Sequence, residues 1–322
     1  MNQVIRFAIA SLMLIVASAP LQASEPGLSE MESLNGFDLR NISVEQVDIF
    51  EGGPPRDGIP ALDAPKFVAP ADAAFLSPED KILGVVIGDT ARAYPVRILN
   101  WHEVVNDKID DTAFSVTYCP LCGSGMVFAA ETKGLALTFG VSGLIYDNNV
   151  LLYDRNTESL WSQIMGEAIS GELQGERLTL MPVIHTTWAD WLARHPQSEV
   201  LSTDTGHLRD YGSDPYDFYQ QVGMIHFPRR HISPNTYKAH EPILGLTLNG
   251  VSKAYPYQEL SKQGEKSFAD NIGGEAVTIH WNQEAASAYA TDSDGNTLAE
   301  TYSYWFAWYS FNPQTDVFVS TK

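Results

Sequence analysis

A sequence that repeats itself at a fixed offset commits both copies to one local structure, because the same side-chain pattern must be buried twice. Here Ile82-Leu83-Gly84 followed by Ala93-Tyr94-Pro95 returns as Ile243-Leu244-Gly245 followed by Ala254-Tyr255-Pro256, at a constant offset of 161, with Arg92 answered by Lys253. The ends correspond too. Trp188-Ala189-Asp190-Trp191 leading to His195-Pro196 and Val200 is echoed by Trp305-Phe306-Ala307-Trp308 leading to Asn312-Pro313 and Val317, at an offset of 117. The fall from 161 to 117 means that the first copy holds about 44 residues absent from the second. The segment following its cysteines is the natural place for them.

The repeat divides the chain into a first unit at 79–202, a connector at 203–240 and a second, shorter unit at 241–322. Residues 24–78 are rich in Pro, Gly, Asp and Ala and read as an irregular segment wrapped on the body. Residues 1–23 read as an export signal: Arg6, an apolar stretch from Phe7 through Val16, then small residues to Ala23. That stretch is short for a membrane span, and no later run is long enough for one. Inside the units, Leu83 to Ile87, Phe114 to Tyr118, Met126 to Ala129, Leu135 to Phe139, Leu151 to Tyr153, Leu178 to Met181, Leu244 to Leu248 and Val277 to Trp281 read as short strands. The Trp188 to Arg194 and Trp305 to Ser310 segments suit one or two helical turns. The expected fold is mainly β with short helices, an α+β body of two related units, with one sheet in each.

Lys and Arg number 20 against 40 Asp and Glu, a net charge of −20. That balance repels phosphate backbones and anionic membranes, so nucleic acid is a poor partner. It fits a solvated exported surface, periplasmic or secreted. The chain is long enough to bury a core without staples, and it has only two cysteines, Cys119 and Cys122. Closing so short a loop constrains little of the unfolded chain, so chemistry or metal binding gains weight over simple cross-linking.

The pair sits in Thr117-Tyr118-Cys119-Pro120-Leu121-Cys122-Gly123-Ser124-Gly125-Met126, at a strand end before a glycine-rich turn. Gly123, Ser124 and Gly125 oppose a helix continuing from Cys122, unlike a thioredoxin-type site, and position 123 lacks the histidine of a haem attachment. Three readings stay open: a redox-active dithiol, a metal site, and a structural disulfide or buried thiols. In the first, Cys119 is the preferred attacker and Cys122 the resolver, with a small-molecule or protein disulfide, or a peroxide, as partner. In the second, copper(I) or zinc takes both thiolates with His102 or Met126, or with His185, His226, His231 or His240. The second unit has no cysteine: laying Thr278-Ile279-His280-Trp281 over Ser115-Val116-Thr117-Tyr118, after a two-residue adjustment of the offset, puts Asn282 in the place of Cys119.

Around the pair, His102 is an acid, base or ligand candidate, with Glu103 beside it to orient it. Tyr146, Asp154, Arg155 and Trp161 fall in a block where polar groups alternate with aromatics, the composition of a polar substrate pocket; Arg155 suits a carboxylate or oxyanion. The two Trp pairs belong to the shared scaffold. Asp292-Ser293-Asp294-Gly295-Asn296 misplaces the glycine of a calcium loop and lacks its closing glutamate, so it reads as an acidic turn. The segment Asp210 to Tyr219 reads as an ordered connector, with an aromatic lid as the alternative.

Several of these blocks, in this order, resemble the exported family catalogued as domain of unknown function 3179. The resemblance covers roughly residues 70 to 320 and rests on Trp101-His102-Glu103-Val104-Val105-Asn106-Asp107, Thr117 to Gly123, Val141-Ser142-Gly143-Leu144, Tyr153-Asp154-Arg155 and Ser159-Leu160-Trp161-Ser162-Gln163. Some members are described as selenoproteins. The resemblance thus implies redox use of Cys119 and Cys122, without a reaction or substrate. The expectation is an exported thiol-dependent redox protein; copper or zinc delivery, and a noncatalytic binding scaffold, are the alternatives.

Overall fold

In the computed structural model, which describes residues 32–322, each repeated Ile-Leu-Gly block becomes a seven-residue strand, Lys81–Ile87 and Pro242–Leu248. Each turns back into a six-residue strand, Thr90–Pro95 and Val251–Pro256. The closing prolines, held at φ −64° and −62°, are the last extended residues before the short helices Val96–His102 and Tyr257–Gln263. Ile184–Thr187 and Thr301–Tyr304 pair antiparallel with the first strand of each hairpin. Parallel pairs form on the other side, Val200 opposite Ala93 and Val317 opposite Ala254.

The two Trp-containing segments are the helices Trp188–Arg194 and Trp305–Phe311. Their second indoles explain why glycine stands in both hairpins. A Cβ on Gly84 would lie 2.3 Å from Cζ3 of Trp191, and one on Gly245 would lie 2.3 Å from Cζ3 of Trp308. Each ring therefore packs on bare backbone, and each indole N–H donates seven residues onward, to Ser198 Oγ at 2.7 Å and to Thr315 Oγ1 at 2.9 Å.

The fold is α+β, with short helices and several antiparallel sheets. It departs from the expectation of one sheet per unit. The hairpin at 81–95 lies in a five-stranded sheet with Ile184–Thr187, Glu199–Leu201 and Phe67–Val68. The strands that follow it, Val104–Ile109, Thr112–Cys119 and Ser124–Ala129, join an eight-stranded sheet with strands of the second half. The joint is narrow: Tyr302 opposite Gly125. Its cause is the open edge of Ser124–Ala129, which accepts both Thr301–Tyr304 and Leu180–Met181. The corresponding strands of the second half, Ser267–Ile272, Glu275–Asn282 and Ser287–Thr291, make a separate three-stranded sheet.

A second five-stranded sheet, built from Phe139–Tyr146, Asn149–Asp154, Leu160–Ser162 and Glu167–Ala168 with Ile49–Glu51 on its edge, follows the cysteines. No strands occupy the matching place between Ser287–Thr291 and Thr301–Tyr304. The N-terminal segment is thus not wholly irregular, because it supplies edge strands to both five-stranded sheets. The export signal read at 1–23 lies outside the described residues. Among the described residues no helix is long and apolar enough to cross a membrane.

Candidate functional site: a buried thiol pair

The strands Thr112–Cys119 and Ser124–Ala129 form a hairpin whose last pair is Cys119 opposite Ser124. Pro120-Leu121-Cys122-Gly123 is therefore the turn. Gly123 takes φ +62°, a conformation that favours glycine, and a Cβ there would meet the Tyr304 ring at 2.9 Å. Tyr304 N also donates to Cys122 O at 2.9 Å, so the second half of the chain holds the back of the turn. Both cysteines are free and buried, in one apolar cluster with Met126, Phe139, Trp161 and Phe306.

Cys122 is nevertheless set among polar groups. Asn149 Nδ2 and Ser124 Oγ each lie 3.1 Å from its Sγ. The amide of Asn149 is aimed: its Oδ1 accepts Ile164 N at 3.0 Å, which leaves Nδ2 facing the sulfur and Gln163 Oε1 at 2.8 Å. Gln163 in turn donates to Thr117 Oγ1 at 2.9 Å, and Thr117 donates to Met126 O at 3.0 Å. Ser124 donates to Gln163 Oε1 at 2.5 Å, so its hydroxyl accepts from a protonated Cys122. Rotation of that one hydroxyl turns it into a donor to a Cys122 thiolate. Gln163 Oε1 then keeps its bond from Asn149.

This polar set separates the two sulfurs. Burial pushes the Cys119 thiol well above its ordinary range, and the neighbouring Cys122 adds to the rise. Burial also works against a Cys122 thiolate, but hydrogen bonds from Cys119, Ser124 and Asn149 outweigh it and bring Cys122 below its ordinary value.

Glu103 closes the helix Val96–His102 in the left-handed region, at φ 57°. Its carbonyl accepts Tyr118 N at 2.7 Å, which ties it to the residue before Cys119. Its carboxyl accepts from Tyr216 OH at 3.2 Å, and burial, with a smaller contribution from Cys122, pushes it up to about 8. Tyr219 OH donates to Leu121 O at 2.9 Å, in the middle of the thiol turn. Glu103, Leu121, Val150, Tyr216, Tyr219 and Phe227 line a cavity of about 320 Å³ over that turn. The connector thus lies on the pair as an ordered strap: Asn148 also grips it, bonding both Phe227 N and Phe227 O.

The other residues singled out in the sequence hold partners of their own. His102 has both ring nitrogens engaged, Nδ1 with Pro60 O at 2.7 Å and Nε2 with Tyr211 OH at 2.6 Å. A carbonyl only accepts, so Nδ1 carries the proton; burial lowers His102 to about 4 and keeps it neutral. Asp154 collects the N–H of Thr157 at 2.6 Å and the Trp161 indole at 2.9 Å. Arg155 pairs with Asp63, and Tyr146 packs on Phe311 beneath Arg230. Met126 and Trp161 share the apolar cluster of the cysteines. His185 stacks on Tyr302 at 3.7 Å with both nitrogens unpartnered, and His226 stacks on Tyr219 at 5.0 Å. Among the described residues, no three His, Cys, Asp or Glu side chains are placed to share an ion.

Ser124, Asn149 and Gln163 were the site residues that sequence reasoning passed over. Their signal was slight, an amide at the first position of the strand Asn149–Asp154 and another just after the strand Leu160–Ser162. The calcium-like segment is an acidic turn, with Asp292 accepting from Asp294 N and Asn296 N at 2.9 and 2.8 Å. Residues 56–315 match the family described as protein of unknown function DUF3179. No curated protein and no solved structure matches the chain.

Proposed function

We propose that this chain, which belongs to the DUF3179 family, is an exported thiol-dependent redox protein whose reactive thiolate is Cys122. The observation that carries this is the pair of polar contacts at 3.1 Å on a sulfur with no solvent exposure. A merely structural thiol needs no such partners, because a buried S–H is a weak donor in an apolar core. The roles expected from sequence are therefore exchanged. Cys122 attacks a sulfur of an oxidised disulfide and displaces one thiolate, which takes up a proton. Cys119 then loses its proton and attacks Cys122 Sγ, expelling the second thiolate and leaving a Cys119–Cys122 disulfide. Two thiols are oxidised and one external disulfide is reduced to two thiols.

In this reading Glu103, neutral near pH 7, is the acid or base closest to hand, and His102, Asp154, Arg155, Trp161 and Tyr146 fix the surrounding loops rather than touch reacting atoms. The shared registers and shared Gly–Trp contacts support two related units at 79–202 and 241–322, linked by 203–240, of which only the first kept or gained the thiols. A periplasmic or secreted location follows from the export signal read in the sequence.

The test is thiol titration and mixed-disulfide trapping on anaerobically purified protein. A metal-free, reversibly oxidised dithiol is expected, with the trapped adduct accumulating in Cys119→Ser and not in Cys122→Ser. A stoichiometric copper or zinc ion lost in both variants would instead establish the metal-delivery reading. Met126, which shares the cluster of the two cysteines, is then the nearest candidate for a further ligand, with a second chain as the other source.

A further inference from the structure

We infer that the cavity over the thiol turn selects an uncharged, aromatic disulfide oxidant and rejects carboxylate-bearing ones. This rests on the thiol-redox reading and names its substrate class.

The cavity holds about 320 Å³, roughly twice the ~150 Å³ that accommodates a benzene ring. Its walls come from three places: Ile59 in the N-terminal segment, Val141, Ile145 and Val150 in the sheet that follows the cysteines, and Tyr219 and Phe227 in the connector. Leu121, between the two cysteines, forms its floor. Tyr219 OH donates to the carbonyl of this same Leu121 at 2.9 Å, which fixes the connector wall to the turn that carries both cysteines. The rim is open, since Phe218 is 74% exposed.

No lysine or arginine lines this cavity, and its single carboxyl is Glu103. Glu103 is buried, accepts from Tyr216 OH and is pushed up to about 8 by burial. An oxidant bearing carboxylates would meet no lysine or arginine on these walls, only the His226 imidazole stacked on Tyr219, and would have to shed its water beside a Cys122 thiolate. An uncharged aromatic disulfide meets none of these costs and finds phenol and phenyl faces to stack on. The electron count is unchanged: Cys122 displaces one aryl thiolate, Cys119 displaces the second, and the two thiol protons finish on the two aryl thiols.

The experiment compares neutral dithiodipyridine with dianionic dithiobis(nitrobenzoate) on the reduced full-length protein. Each rate is divided by the rate with urea-unfolded protein, which removes the intrinsic reactivity of the reagents. Measurements at low salt and at about 1 M salt, where screening acts within ~3 Å, remove the general repulsion of a chain of net charge −20. The expected result is a normalised preference of at least about a hundredfold for the neutral oxidant that survives high salt. A preference that collapses in high salt overturns the inference and leaves the redox reading standing. Failure of both oxidants to produce the Cys119–Cys122 disulfide sinks the redox reading, and this inference with it. Ile59→Lys places a cation on the wall and should cut the preference about tenfold; an unchanged ratio in the folded variant also counts against the cavity.

Discussion

Replacing Asn149 with leucine removes the amide that faces Cys122 while keeping a branched side chain of similar outline. Asn149 has two N–H protons and three acceptors within reach, Gln163 Oε1 at 2.8 Å, Cys122 Sγ at 3.1 Å and Ser124 Oγ at 3.3 Å. One proton is committed to Gln163, so the sulfur receives about one hydrogen bond, shared with a hydroxyl. A bond to a charged group contributes about 1.5–3 kcal/mol, and sharing argues for the lower end. At about 1.4 kcal/mol per pKa unit, the Cys122 pKa should rise by roughly one unit. The measurement is ultraviolet thiolate absorbance against pH, in a Cys119→Ser background so that one sulfur titrates. Stability falls as well, by about 1–3 kcal/mol, because Ile164 N loses its acceptor. That loss is independent of pH near neutrality and is separable by denaturant titration. Superimposable titration curves for Cys119→Ser and Asn149→Leu/Cys119→Ser would falsify the claim that this network tunes the thiol.

Two further outcomes follow from the geometry. Glu103 is raised from 4.5 to about 8, so the stability it contributes is fully present below pH 4.5 and is lost as pH rises through about 8. Glu103→Gln should therefore leave stability at pH 4 nearly unchanged and raise it at pH 8 by on the order of a few kcal/mol, read from urea midpoints at the two pH values. Gly84→Ala and Gly245→Ala each drive a methyl into an indole at 2.3 Å. Both should lower stability by about 1–3 kcal/mol or more, and by similar amounts, since the two sites share one geometry; a thermal melt that separates them widely refutes the equivalence.

Local structure was more legible in this sequence than the site. The Ile-Leu-Gly blocks, the Trp pairs and most strands could be read because each depends on residues within a turn or two of one another, and the repeat supplied a second copy of each. The helix Val96–His102 escaped because seven residues with apolar positions at 96, 98, 99 and 101 are too short a run to show a helical period. That omission carried a cost for the site: Glu103 is read from the sequence as orienting His102, whereas the left-handed residue Glu103 sends its carboxyl to Tyr216 and His102 bonds to Tyr211. Asn149 and Gln163 are far from Cys122 in sequence, and only the pairing of Asn149–Asp154 with Leu160–Ser162, and of Thr112–Cys119 with Ser124–Ala129, brings them together. No local pattern encodes such pairings. The two-sheet expectation failed for a similar reason, since the repeat specifies each hairpin but not which edge its neighbours will use.

The narrow joint at Gly125 and Tyr302 also gives the protein a history. Tyr302 follows Cys122 by 180 positions in the chain, which at ordinary synthesis rates is roughly 10–40 s. During that interval the thiol turn has emerged without the strand and the Tyr304 ring that cover its back, and for the earlier part without the connector that covers its front. The back of the turn is enclosed only once residues 301–311 dock, so the site is completed last in chain order.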